Sequence, residues 1–267
     1  MSGLLQAYWY ITKMRVLTNL AYRFEVFAAV GTNIILLIAS VFLWRSAYAG
    51  IEQVQSMQLD DLITYTVLSI LLASVFVCGV QNTIYYKIRE GQIVTDFYRP
   101  IPLLASYLAD DLGSAVSGLV NRVIPLFLFA TIVFGPPLPA SWKHFLLFVP
   151  SVLLSYALLW LLSALVGLAA FWVMELGNLG IVKDSIVRIL SGSLVPLWFF
   201  PETIQRISAF LPFQYTYQAP ISIYIGVVSI PEAFQGMVIQ IVWVAVLALL
   251  LRWAWNRTKT KTLIQGG

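Results

Sequence analysis

The sequence predicts an all-α polytopic membrane protein, and three observations carry that prediction. Hydrophobic residues fill 60% of the 267 positions and charged residues only 10%, against roughly 25% charged in a soluble domain. Mean hydropathy is +0.86, so a folded globule would leave apolar surface that only lipid can cover. Charge-free intervals recur at about the 20 residues a helix needs to cross the hydrocarbon. The expectation is a single transmembrane domain over 1–267 with six transmembrane helices. An N-terminal interfacial helix over 1–21, a cytoplasmic loop over 87–102 and a broken outer segment over 201–226 complete it.

Residues 4–20 are too polar to cross. Thr12, Arg15, Thr18 and Asn19 share one side of a helical wheel, and Leu5, Trp9, Val16 and Leu20 the adjoining side, which predicts a helix resting on the headgroups. Span one is 26–44, charge-free between Glu25 and Arg45. Its 19 residues exceed the roughly 7 to 15 of a signal-peptide core, so Ala47-Tyr48-Ala49 is not read as a cleavage site. Span two is 62–86. Span three covers 123–142, and its pattern extends back to about Leu112, bringing Asn121 and Arg122 inside. Span four lies within the 31 uncharged residues 144–174, enough for one tilted crossing and too few for two. Span five is the weakest, since 189–200 reaches membrane length only when extended to about Val182, past Asp184 and Arg188. Span six, 237–251, leads into a basic tail.

Six spans put both termini on one side, and Lys and Arg near the span ends choose that side. One set of segments holds Lys13, Arg15, Arg23, Lys87, Arg89, Arg99, Lys183, Arg188, Arg252, Arg257, Lys259 and Lys261; the opposite loops hold only Arg45, Lys143 and Arg206. Both termini are therefore expected in the cytoplasm. The net charge of +4 is spread along the chain without a Lys/Arg run, so no nucleic-acid partner is expected.

Polarity concentrates in three places. The loop 87–102 mixes both charge signs with Ile93, Phe97 and Tyr98; Gly91 breaks the chain, 92–98 has room for two helical turns, and Pro100 and Pro102 end it. A mere reversal of direction needs no such apolar content, and a docking surface is the favoured reading over an inert connector. Gly113, Ser114, Ser117 and Gly118 then form two overlapping small-x-x-x-small pairs that let helices approach closely. Arg122, costly at the membrane centre, either snorkels or faces a path. Finally Pro196, Pro201, Pro212 and Pro220 divide 191–226, where Pro201-Glu202 opens a short helix that ends before Pro212. Broken backbone at membrane depth needs protein or a watery cavity around it.

Several chemistries lack their residues. A single Cys78 and a single His144 exclude a disulfide or a Cys/His metal cluster within the chain, and no catalytic residue is assigned. Gly113 to Gly118 is followed by Leu119 and Val120, not the Lys and hydroxyl of a phosphate-binding loop.

The strings Ala21-Tyr22-Arg23-Phe24, Ile88-Arg89-Glu90-Gly91-Gln92-Ile93 through Arg99-Pro100-Ile101-Pro102, and Ser191-Gly192 to Pro212-Phe213 stand in this span order. Together they resemble the ABC-2 permeases, in the subgroup of small bacterial ABC-2 family transporter proteins. The resemblance implies half of a two-permease unit in the cytoplasmic (inner) membrane of a bacterium, homodimeric or heterodimeric, with separate ABC ATPase subunits holding ATP and Mg. It implies no cofactor on this chain. It makes 87–102 a coupling loop, with Arg89, Glu90, Gly91, Ile93, Asp96, Phe97, Tyr98 and Arg99 as the ATPase-docking residues. Closure of the ATPases would push that loop and switch a cleft between the permeases, with 201–217 as its outer lid. Asn121, Arg122 and Asn178 are candidate path residues, with bundle packing the favoured reading for Asn121 and Asn178 and snorkelling for Arg122. Family cargo includes lipids, polysaccharides and drugs. A membrane scaffold without transport and an intramembrane lipid-modifying enzyme are the competing readings.

Overall fold

A computed structural model describes residues 2–49, 57–97, 101–172 and 179–265. Among them there are helices and connections and no strand. The amino-terminal helix α1 (Ser2–Ala21) meets α2 (Arg23–Ala47) at the single non-helical residue Tyr22. Five segments are long and apolar enough to cross a membrane: Phe24–Ala47 in α2, Leu59–Arg89, Leu103–Phe134, Trp142–Ala169 and Ile230–Thr258.

The second of these is two helices, α3 (Leu59–Val75) and α4 (Val80–Arg89), separated by an irregular turn. Backbone donors freed inside a membrane need partners, and here a side chain from another element supplies them. Asp111 accepts from Gly79 N at 2.8 Å and Val80 N at 3.0 Å, and its Oδ2 also accepts from Trp160 Nε1 at 3.0 Å. The carboxyl group is 3% exposed, fully enclosed by those three donors.

The third segment begins earlier than its sequence pattern suggested. Helix α6 (Leu103–Gly118) starts nine residues before Leu112 and runs through a π-helical turn, Leu119–Val123, into α7 (Ile124–Phe134). Pro125 has no N–H for the carbonyl four residues back, and the widened turn just before it accommodates that loss. At 32 residues this stack is about 48 Å long at 1.5 Å per residue, well beyond the hydrocarbon thickness. Its lower part packs against α1. There Thr12 Oγ1 donates to Ala109 O at 2.8 Å and Arg15 pairs with Asp110. A Cβ at Gly113 would stand 2.6 Å from Thr12 O, and one at Gly118 would stand 2.7 Å from Ser74 O in α3. The small residues thus set two helix contacts at once.

Helix α8 (Trp142–Ala169) and the long α12 (Ile230–Gln265) pack along each other. Gln240, with no exposed surface, joins them: it accepts from Ser151 Oγ at 3.0 Å and donates to Ser155 Oγ at 3.1 Å and Tyr215 O at 2.8 Å. Each polar atom of this amide is used, as burial requires.

The expected fifth span is not one helix. Its place is taken by α9 (Leu179–Leu190), a turn, the 3₁₀ segment Leu197–Phe199, α10 (Glu202–Ala209) and α11 (Gln218–Ile225). Gly192 takes φ +77° in the turn, where a Cβ would also crowd Gln218 and Tyr65. Tyr65 Oη donates to Gly192 O at 2.7 Å and Gln218 N to Ser191 O at 3.0 Å, so α11 starts beside the end of α9. At its other end Ala140 N donates to Tyr224 O at 2.9 Å, and Tyr224 Oη to Pro137 O at 2.7 Å. Ile221 is buried among side chains of α3 and α8, including Tyr65, Leu68 and Tyr156.

Candidate functional site

The loop after α4 is built from the inside out. Ile93, 3% exposed, anchors the five-residue helix α5 (Ile93–Phe97) in the main apolar core beside Ile84, Leu103 and Tyr107. Asp96 is equally buried; it pairs with Lys87 and accepts from Tyr107 Oη at 3.1 Å, and the Lys87 ammonium also lies 5.0 Å from the Tyr107 ring centroid. These two residues brace the loop and do not present themselves to a partner. The exposed face is the turn Arg89, Glu90, Gly91 and Gln92. Gly91 takes φ +70°, a conformation suited to glycine, and Gln92 Nε2 donates to Glu90 Oε2 at 2.9 Å. Phe97 closes α5. Tyr98 and Arg99 lie outside the described residues, as does Asn178.

Asn121 and Arg122 come together on the π-helical turn. Asn121 Nδ2 donates to Ser117 Oγ at 2.9 Å, and the Arg122 guanidinium lies back against Gly118. Both border a cavity of about 290 Å³ whose opposite wall carries Asn19, Tyr22 and Glu25 at the α1–α2 junction.

A larger cavity, about 550 Å³, lies between α2, the α3–α4 turn, α8 and α9. Its polar lining includes Asn33, Gln81, Asn82, Lys183, Asp184 and Arg188. Lys183 Nζ is 2.8 Å from Asp184 Oδ1 and donates to Ser163 Oγ at 2.9 Å. Val77 lines both cavities, so the α3–α4 turn borders each, as does α2. Sequence reasoning counted Lys183 and Arg188 for orientation alone and assigned no role to Gln81 or Asn82. A signal was present: an Asn and a Gln inside a charge-free span, and three charges in the segment that otherwise reads as a crossing.

The geometry therefore links two things through the short helix α4: an exposed turn and a broken point opening onto a polar cavity. A family model for ABC-2 family transporter proteins matches residues 34–266. The chain belongs to that family. No curated protein matches the chain. The ABC-2 match takes in the loop after α4, most of the larger cavity and the broken segment, while α1, the start of α2 and the Asn19, Tyr22 and Glu25 wall of the smaller cavity stand before it. An ABC-2 chain is a membrane permease subunit of an ABC transporter, a multi-pass protein that associates with ABC ATPase subunits.

Proposed function

We propose that this ABC-2 permease exports a substrate across the cytoplasmic membrane of a bacterium, paired with a second permease and driven by two ATPase subunits that dock on the turn 89–92. ATP and Mg reside on those subunits, since the sequence has no phosphate-binding loop of its own. The observation that carries the reading is α4. It runs without a break from the cavity residues Gln81 and Asn82 to the exposed Arg89 and Glu90, so a push on the turn reaches the cavity through one rigid element. The buried Lys87–Asp96 pair stiffens the loop that receives the push.

Six crossings belong to the proposal, the fifth being composite. The twelve residues of α9 span about 18 Å, starting beside Gln81 and Tyr85 in α4. Its continuation reaches Phe199, whose ring lies 5.4 Å from that of Trp44 near the far end of α2. Leu179 to Phe199 thus runs the depth of the bundle. The following chain turns back to Ser191 before α11 rises again, which is the re-entrant arrangement proposed for the outer face, with both termini cytoplasmic. The exposed apolar face of α1, including Trp9 and Met14, rests on the inner headgroups in this arrangement.

Affinity purification of the tagged chain from native membrane in mild detergent tests the reading. A stoichiometric ATPase with ATP hydrolysis is expected, and charge reversal at Arg89 and Glu90 together is expected to remove it while the permease still inserts. Reproducible absence of any ATPase from an intact preparation would overturn the proposal.

A further inference from the structure

Between packed helices several polar side chains are paired, as Gln240, Asp111 and Lys87 with Asp96 show. Around the larger cavity Lys183, Asp184 and Ser163 are paired, and a further set of polar side chains is not. The side chains of Asn33, Gln81, Asn82 and Arg188 and the Tyr217 hydroxyl border it and hydrogen-bond to no described residue. Gln81 Oε1 is also closed off from the surface with no donor. Asn82 and Arg188 are exposed and Asn33 and Gln81 half-buried, so these groups stand open to a molecule that enters the cavity, and polar groups within a membrane-spanning bundle are costly unless something solvates them.

The charge and shape of the cavity say what kind. Lys183 and Asp184 balance each other, which leaves the Arg188 guanidinium without an acid among the described residues and the lining with one net positive charge. A guanidinium fork with three amides and a phenol around it offers many donors in several directions. That number matches the oxygens of a phosphate better than the two of a carboxylate. Ser69, Ser163 and Ser193 also line it, and Leu36, Ile70, Val77 and Leu194 give the wall an apolar part. About 550 Å³ falls in the range of small-molecule sites, roughly 300 to 1,000 Å³.

We propose that this cavity binds an amphiphile with a phosphate-type anionic headgroup, the headgroup on Arg188 and the amides of Asn33, Gln81 and Asn82, the apolar body against Ile70, Val77 and Leu194. The proposal deepens the permease reading and rests on it, because it names the chemical class of what the cavity holds.

The test is native mass spectrometry of the purified chain, with whatever subunits accompany it, against phosphatidylglycerol and phosphatidylcholine of identical acyl chains, and separately against inorganic phosphate. The wild type is expected to retain phosphatidylglycerol about tenfold better than phosphatidylcholine, and Arg188→Gln to remove that preference, as loss of a charge-assisted contact would. Arg188→Lys should restore part of it, and Arg206→Gln, at an exposed position paired with Glu202, should leave it intact. Equal retention of the two lipids, or a preference that survives Arg188→Gln, overturns the proposal. Binding of inorganic phosphate without the lipid preference overturns it too, in favour of a free-anion site. Should Arg188→Gln fail to fold, the wild-type lipid comparison and Asn82→Leu decide. Lipid retention needs no ATP, so a failed permease reading would show separately, as a preparation that binds the lipid and carries no ATPase.

Discussion

Asp111 and Gln240 show how single polar side chains hold this bundle together. Removing the Asp111 carboxyl leaves two backbone donors and one indole N–H buried without an acceptor, each costing about 1–3 kcal/mol. Asp111→Ala is expected to lower the unfolding midpoint in detergent by about 5 °C or more, with Asp110→Ala, a half-exposed partner of Arg15, far milder. Equal midpoints for the two variants would show that the α3–α4 turn does not depend on Asp111. Neither role was legible in the sequence. Charge spacing identifies Asp111 as an acid near a span boundary, but its three donors come from residues 31 to 49 positions away in sequence. Asp96 carries the same lesson: within a mixed-charge loop it reads as a surface residue, and only the fold shows Lys87 and Tyr107 closing over it. Mutations meant to probe docking therefore belong at Arg89 and Glu90, where the side chains are exposed.

At the scale of elements, close approach and breakage matter more than hydropathy. Gly113→Val would drive side-chain atoms into the backbone of α1, since even a Cβ stands 2.6 Å from Thr12 O; overpacking of this sort costs about 1–3 kcal/mol. Faster tryptic cleavage at Lys13 and Arg15 in Gly113→Val than in Ser114→Val is the expected result, and identical cleavage would remove the α1–α6 contact from the account. The small-residue pairs were visible in sequence, whereas the partner of Gly113 was not, because any helix of the chain can fill such a groove. The fifth crossing was legible in a different sense. Lys183, Asp184 and Arg188 weakened its hydropathy, and these are the residues that line the larger cavity. The prolines announced the breakage, and the short helix opening after Pro201 stands as Glu202–Ala209. Its return to Ser191 rests on Gln218, a contact across 27 residues that local pattern does not encode.

For the whole molecule, charge asymmetry predicts a cytoplasmic carboxyl terminus. A reporter active only outside the cytoplasm, fused after Gly267, is expected to stay silent; full signal would reverse the topology and put the turn 89–92 on the wrong side for any ATPase. The single residue between α1 and α2 has a consequence at this scale. Because α1 is clamped to α6 by Gly113, Thr12 and Arg15, and continues through Tyr22 into α2, the first and third crossings share one frame on the amino-terminal side. Gln240 and the Tyr224–Pro137 contact tie α8, α11 and α12 into another. Between the two frames stands the α3–α4 turn, where Asp111 of α6 accepts both from the turn's backbone and from Trp160 of α8. A molecule assembled in this way is laid out like a hinged book whose spine is the four residues between α3 and α4, and both cavities border that spine.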